Sequence, residues 1–162
     1  MPENFKPELG SGDDGLTGLP SGKRVKKTDH RIRALGLLDE LGALLGLAKV
    51  KLAGKKEAVE LLKTQRTLLK AAAHAAGLDF KTELKKETRR LEAGMELLAA
   101  GAKPLREFIL PGRTETEALL HLCRAKARLC EAALWEINST AAAVYLNRLS
   151  DHLFLLAAAD DK

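Results

Sequence analysis

His121, Arg124, Arg128 and Glu131 recur at intervals of three, four and three residues, which puts all four on one face of a helix. The pattern has two readings. It is a solvated stripe, or it is a grip on a polyanion, with two guanidinium forks taking oxygens and the carboxylate orienting them. Asn147 and Asp151, four apart, share another face, and Asp39 is a natural partner for an arginine from a different helix. His121 and Cys123 do not form a nucleophile–base pair, because residues two apart on a helix point to different faces.

A second kind of chemistry is written into Gly10-Ser-Gly-Asp-Asp-Gly-Leu-Thr-Gly18. Glycine-rich backbone lets amides converge on phosphate oxygens. Asp13 or Asp14 would hold a hydrated Mg²⁺ bridging those phosphates, Thr17 would donate a hydroxyl, and Lys23, Arg24, Lys26 and Lys27 follow with positive charge. No Gly-Lys-Ser/Thr closes the segment, so it is not a P-loop. The plain alternative is a flexible acidic-glycine tail. The apolar Phe108-Ile-Leu between Pro104 and Pro111 is also out of place in a loop, and either plugs one end of the fold or meets an apolar ligand.

The elements that must position these groups are helical. The chain has 162 residues, 46% hydrophobic and 30% charged, with aromatic content of only 4% and Leu and Ala dominant. That length supports one domain with a real core, and that composition favours helices. The net charge of +5 suits an anionic ligand. Stacking aromatics and dense basic clusters are lacking, which argues against nucleic acid. No apolar run approaches the roughly 20 residues that span a bilayer, and the first residues carry no apolar signal core, so the expected location is cytoplasmic. Cys123 and Cys130 lie seven apart on one helix, about 10 Å in rise, too far for a disulfide. They read as buried thiols in a reducing compartment, and no second ligand pair makes them a metal site.

Residues 1–28 read as an extended or loop segment, and residues 29–162 as a helical bundle within a single domain. The first helix spans about Asp29 to Ala53, its stripe running through Ile32, Leu35, Leu38, Leu41, Leu45, Ala48 and Leu52. Gly36, Asp39, Ala43 and Gly46 give it a second, small-residue face. The second spans Lys55 to Ala76, with Val59, Leu62, Leu69, Ala73 and Ala76 as the expected stripe. The third spans Thr82 to Ala100, with Leu84, Thr88, Leu91, Met95 and Leu98 facing inward. Thr114-Glu-Thr-Glu117 is a capping box that opens the fourth, which runs to about Ile137. The fifth covers Ala141 to Ala159 along Leu146, Leu149, Leu153 and Leu156. No strand alternation competes, so the fold class is all-α, an up-and-down bundle of five helices.

Taken in order, these segments resemble the PduO-type ATP:cob(I)alamin adenosyltransferases. The matching pieces are Gly12-Asp-Asp-Gly15 with Thr17, Arg24-Val-x-Lys27, Arg31-Ile32, Leu38-Asp-Glu-Leu41, Phe108-Ile-Leu-Pro-Gly112, His121-x-Cys-Arg124-x-x-x-Arg128-x-x-Glu131, and Tyr145-Leu-Asn-Arg-Leu-Ser-Asp151. They cover nearly the whole chain. The resemblance implies a five-helix bundle assembled as a homotrimer with sites between subunits, ATP with Mg²⁺ as one substrate and cobalamin as the other. It implies ATP contacts from Ser11, Gly12, Asp13, Gly15, Thr17, Lys27, Arg128, Glu131 and Asn147, and catalytic parts for Phe108, Arg124, Asp39 and Arg128. Arg124 would pair with Asp39, Phe108 and His121 would meet the corrinoid, and Phe108 would keep the lower axial ligand off cobalt. No metal would be held by protein ligands alone. A flavin reductase and a B12-dependent enzyme are the implied protein partners. The pattern also departs from the family: Gly10 stands where it carries a basic residue, Arg33 where it carries Glu, and Gly42 where it carries Asn. The alternative is therefore a non-catalytic member that binds corrinoid or nucleotide as a carrier or sensor.

Overall fold

A computed structural model describes residues 9–100 and 110–159. Its helices are α1 (His30–Lys51), α2 (Lys56–Ala75), α3 (Lys81–Ala100), α4 (Glu115–Glu136) and α5 (Thr140–Ala159), close to the bounds read from sequence. The caps explain the starts. Asp29 accepts the Arg31 amide at 2.8 Å, and Thr114 accepts the Glu117 amide at 3.0 Å. Gly54 and Gly77 follow α1 and α2 at φ +83° and +105°, a conformation that glycine enters at little cost.

The helices close a ring. α1 packs on α2 and α4, α5 packs on α4 and α3, and α2 meets α3 and α5. Side-chain contacts mark the directions: His30 with Glu136 and Lys51 with Glu115 join opposite ends of α1 and α4, so these two run antiparallel. The core is mostly leucine and alanine, with Leu41, Leu45, Leu84, Leu91, Leu120, Leu149 and Leu153 fully enclosed.

Two expectations are corrected. Within the segment expected to be extended or loop, no strand pairing is expected, yet β1 (Leu16–Gly18) and β2 (Arg24–Lys26) pair antiparallel, Thr17 opposite Val25. Strands of three residues are too short to show alternation. The hairpin is held by its docking, as Leu19 and Val25 pack with Ala76 against Ile32 and Leu35. The second correction is the face of α2. Val59, Leu62 and Leu69 are exposed, while Leu61, Thr64, Thr67, Leu68, Ala71 and Ala75 are buried. Thr64 and Thr67 disguise the inner face as polar, but their hydroxyls donate to the Glu60 and Lys63 carbonyls of their own helix at 3.0 Å, so burial leaves neither unsatisfied.

His152 of α5 is buried with both ring nitrogens unpartnered. A Cβ built on Gly94 of α3 would lie 3.5 Å from its Cε1. Beyond it is an ionic cluster in which Arg90 engages Glu60 of α2 and, at 2.7 Å, Glu87. Burial pushes the imidazole below its ordinary value; Glu60 opposes that and Arg90 adds to it.

Two outcomes are expected. Leu68→Ala should cost about 2–5 kcal/mol in chemical denaturation and Leu69→Ser no more than about 0.5 kcal/mol, the reverse of what the expected stripe requires. As pH falls, the unfolded chain protonates at position 152 near the ordinary histidine value of 6.5, before the folded chain does. Stability is therefore full above that value and lost below it. Urea midpoints at about pH 7.5 and about pH 5.5 should show that fall, and His152→Leu should make it shallower.

Candidate active site

The polar face of α4 lies in the seam between α4 and α5, and its character changes along the helix. At the N-terminal end Glu117 is buried, its side chain 2% exposed. Its Oε2 accepts the backbone amides of Gly112 at 2.7 Å and Arg113 at 3.2 Å. Its Oε1 lies 3.1 Å from Nε2 of His121, with the Arg113 guanidinium 3.7 Å away. Burial raises the Glu117 carboxyl, but the two amides and the charges of His121 and Arg113 outweigh it and hold the group below its ordinary value. For His121, burial pushes the ring down, Glu117 pulls it up, and Arg124 and Arg113 push it down again, leaving it below the ordinary histidine value.

One turn on, the Phe154 ring of α5 stands edge-on to His121, centroids 6.0 Å apart, and the Arg124 guanidinium lies 6.0 Å from the same ring. The Arg124 Nε is buried without a hydrogen-bond partner. Arg128 is exposed. Then comes a polar cross-link between helices: Asn147 donates to both oxygens of Glu131 at 3.2 and 3.3 Å, and the Trp135 indole donates to Glu131 at 3.3 Å. Arg148 donates to the Asn147 carbonyl oxygen at 2.5 Å and to Glu92 of α3 at 3.0 Å.

The shared face expected for His121, Arg124, Arg128 and Glu131 therefore runs from interior to surface. His121 is enclosed because Phe154 and the Glu117 carboxylate cover it. Glu131 and Asn147 are brought together as direct partners. Arg124 and Asp39 are not: Asp39 is exposed on α1, and no ion pair joins the two within the chain among the described residues. Beside Asp39, Glu40 pairs with Lys126 of α4 at 2.6 Å. Cys123 and Cys130 are buried free thiols pushed up to about 12 by burial, inert as nucleophiles. Phe108 lies outside the described residues.

The glycine segment forms a second feature, lining a cavity of about 490 Å³ with Leu9, Gly10, Ser11, Gly12, Asp14 and Arg24. Gly10, Gly12 and Gly15 all have positive φ, of 80°, 91° and 76°. Gly12 tolerates no side chain, since a Cβ there would meet the Leu16 carbonyl at 2.9 Å and the Lys27 ammonium at 3.1 Å. Lys27 thus lies over Gly12, and its amide donates to the Gly15 carbonyl at 2.8 Å. Of the two aspartates considered for a metal, Asp14 is engaged: it accepts the Arg24 guanidinium on both oxygens at 3.1 Å and the Leu16 amide at 3.1 Å. Ser11 and Asp13 are exposed and Thr17 is half-buried. No hydrogen bond or ion pair among the described residues joins this loop to Arg128, Glu131 or Asn147.

Sequence reasoning missed three groups. Glu117 reads as a cap alone, although its four-residue spacing to His121 signals more. Phe154 and Trp135 draw no reading from the sequence, because nothing local marks an aromatic ring that backs a cation or donates to a carboxylate.

The family model described as "Cobalamin adenosyltransferase" matches residues 8–159. A corrinoid adenosyltransferase PduO from Salmonella typhimurium is 38% identical over 93% of this chain and 48% of its own length, so the chain spans about half of that relative. A corrinoid adenosyltransferase from Mycobacterium tuberculosis is 34% identical over 91% of this chain and 84% of its own. Among solved structures, a phenylalanine-to-histidine variant of the PduO-type ATP:corrinoid adenosyltransferase of Lactobacillus reuteri, complexed with cobalamin and ATP, superposes with a TM-score of 0.88 at 25% identity, covering 96% of this chain and 91% of that one. An arginine-to-lysine variant complexed with ATP gives 0.87 at 26%, covering 96% and 94%. With the five-helix ring, the glycine loop and the α4–α5 seam all in the matched span, the chain belongs to the cobalamin adenosyltransferase family.

Proposed function

We propose that the protein transfers the 5′-deoxyadenosyl group of ATP to cob(I)alamin. The cobalt(I) electron pair forms the Co–C bond at the ribose 5′ carbon, the C5′–O bond breaks, and triphosphate leaves with that bond's electrons. The corrinoid supplies the nucleophile, so the protein's task is to orient the substrates and stabilise charge. The observation that carries this reading is the pair of preformed half-sites in a chain of this family: a glycine loop with Lys27 lying over Gly12, and an α4 face with Arg128 exposed and the Arg124 Nε unanswered.

These halves are complementary between copies. The triphosphate suits the glycine loop at Ser11, Gly12 and Gly15 with Thr17 and Lys27, and Asp13 is the carboxylate left to hold the Mg²⁺ that travels with ATP. Arg128, Glu131 and Asn147 suit the nucleotide from a neighbouring subunit, and Asp39 of one copy suits Arg124 of another. A trimer is supported by the outer surface of α1 and α4, where Leu47, Val50, Leu122 and Leu129 are exposed alongside Gly36 and Ala43. On the corrinoid side stand Phe108, by the family resemblance, and His121. Among the described residues no helix is long and apolar enough to cross a membrane, and we place the protein in the cytoplasm, served by a flavin reductase and supplying a B12-dependent enzyme. One feature favours a second reading, a corrinoid or nucleotide carrier: Gly10 brings no cation to the loop, where the family carries one.

Three measurements test this. Purified protein with ATP, Mg²⁺ and cob(I)alamin under anaerobic conditions should yield adenosylcobalamin and triphosphate in equal amounts; stoichiometric binding without product would favour the carrier. By calorimetry, Arg128→Ala should weaken ATP by about 10- to 150-fold, the equivalent of one charge-assisted contact, while Arg66→Ala on the outside of α2 should change nothing. Equal affinities would reduce the α4 face to a solvated stripe. Sedimentation at micromolar concentration should give three times the 17.6 kDa chain mass, and a monomer would rule out shared sites.

A further inference from the structure

Glu117 is the most enclosed charged side chain of the seam, and its role exceeds that of a cap. A capping glutamate is ordinarily a surface group that tidies free amides. Here a carboxylate with 2% of its side chain exposed gathers the Gly112 amide at 2.7 Å, the Arg113 amide at 3.2 Å, His121 Nε2 at 3.1 Å and the Arg113 guanidinium at 3.7 Å. Burying a carboxylate is costly unless it is answered: Oε2 takes both amides, while Oε1 forms no hydrogen bond and is met only by the nearby His121 ring and Arg113 guanidinium. The turn that enters α4 and the His121 ring are therefore located by the same two oxygens. The other side of the ring is fixed by Phe154, centroids 6.0 Å apart.

We propose that Glu117 is a positioning residue for the corrinoid half of the site: it locks the Gly112–Arg113 turn and the His121 ring to the start of α4, and so governs the corrinoid while leaving ATP alone. The inference rests on the reading of His121 as a corrinoid-side residue. ATP is spared because the glycine loop shares no hydrogen bond or ion pair with Glu117 among the described residues. The groups facing the His121 ring are Glu117, Arg113 and Arg124 from its own helix and entry turn, and Phe154 from α5. Glu117 is the only one of the three charged groups that favours the imidazolium.

The test compares Glu117→Gln, which keeps a carbonyl to accept the amides and loses the charge, with Glu117→Ala, which loses both. The His121 titration followed by NMR should move to lower pH in Glu117→Gln; an unmoved titration overturns the coupling. In steady-state assays Glu117→Ala should raise KM for cob(I)alamin or lower kcat by about 10- to 100-fold, leave KM for ATP within about twofold, and be partly rescued in Glu117→Gln. A folded Glu117→Ala with unchanged corrinoid kinetics overturns the proposal, as does an equal loss toward both substrates. If Glu117→Ala does not fold, Glu117→Gln alone decides by the same split. If the unaltered protein makes no adenosylcobalamin, the proposed activity fails, and the positioning role is then judged by the NMR titration with corrinoid affinity from its absorbance change.

Discussion

A charge placed between two packed helices must be answered from within the seam, and the α4–α5 contact is built around that constraint. Glu117 is met by two amides and an imidazole, Glu131 by an amide side chain and an indole, and Asn147 by Arg148. Each answer fixes a rotamer, so these groups are set before any ligand arrives. Arg124 packs toward Phe154 with its Nε unanswered, and Nδ1 of His121 is likewise buried without a hydrogen-bond partner.

The remaining architecture supports that seam. α5 carries it because its other faces are committed to leucine contacts with α3 and α4, with Leu146, Leu149 and Leu153 wholly enclosed. Arg148 extends the polar chain across to Glu92, so the seam is tied to α3 as well. α1 braces α4 from the opposite side through side-chain contacts near both ends and at Glu40–Lys126. Each exposed pair adds little to stability, but together they limit sliding of one helix along the other.

Much of this was legible in the sequence. Five helices, their caps and the α1 and α5 stripes follow from period, capping chemistry and spacing. The failures have physical causes. The stripe of α2 was misplaced because threonines that satisfy themselves on their own helix look polar in sequence and behave as apolar in packing. The hairpin escaped because its stability comes from docking Leu19 and Val25 onto α1 and α2, a tertiary effect with no local period. Spacing along α4 placed four residues on one face, yet it carried no information on what covers each of them, so the enclosure of His121 and the second role of Glu117 depended on Phe154, thirty-three residues downstream of His121.

The Asp14–Arg24 clamp bears on how far the glycine segment can adapt. One Arg24 nitrogen shared between both Asp14 oxygens at 3.1 Å, backed by the strand pairing of Thr17 with Val25, closes the glycine segment on itself. The conformational entropy of shaping that loop is thus spent during folding. A loop shaped in advance exchanges adaptability for fit, so whatever meets it must match the rim of glycines as it stands.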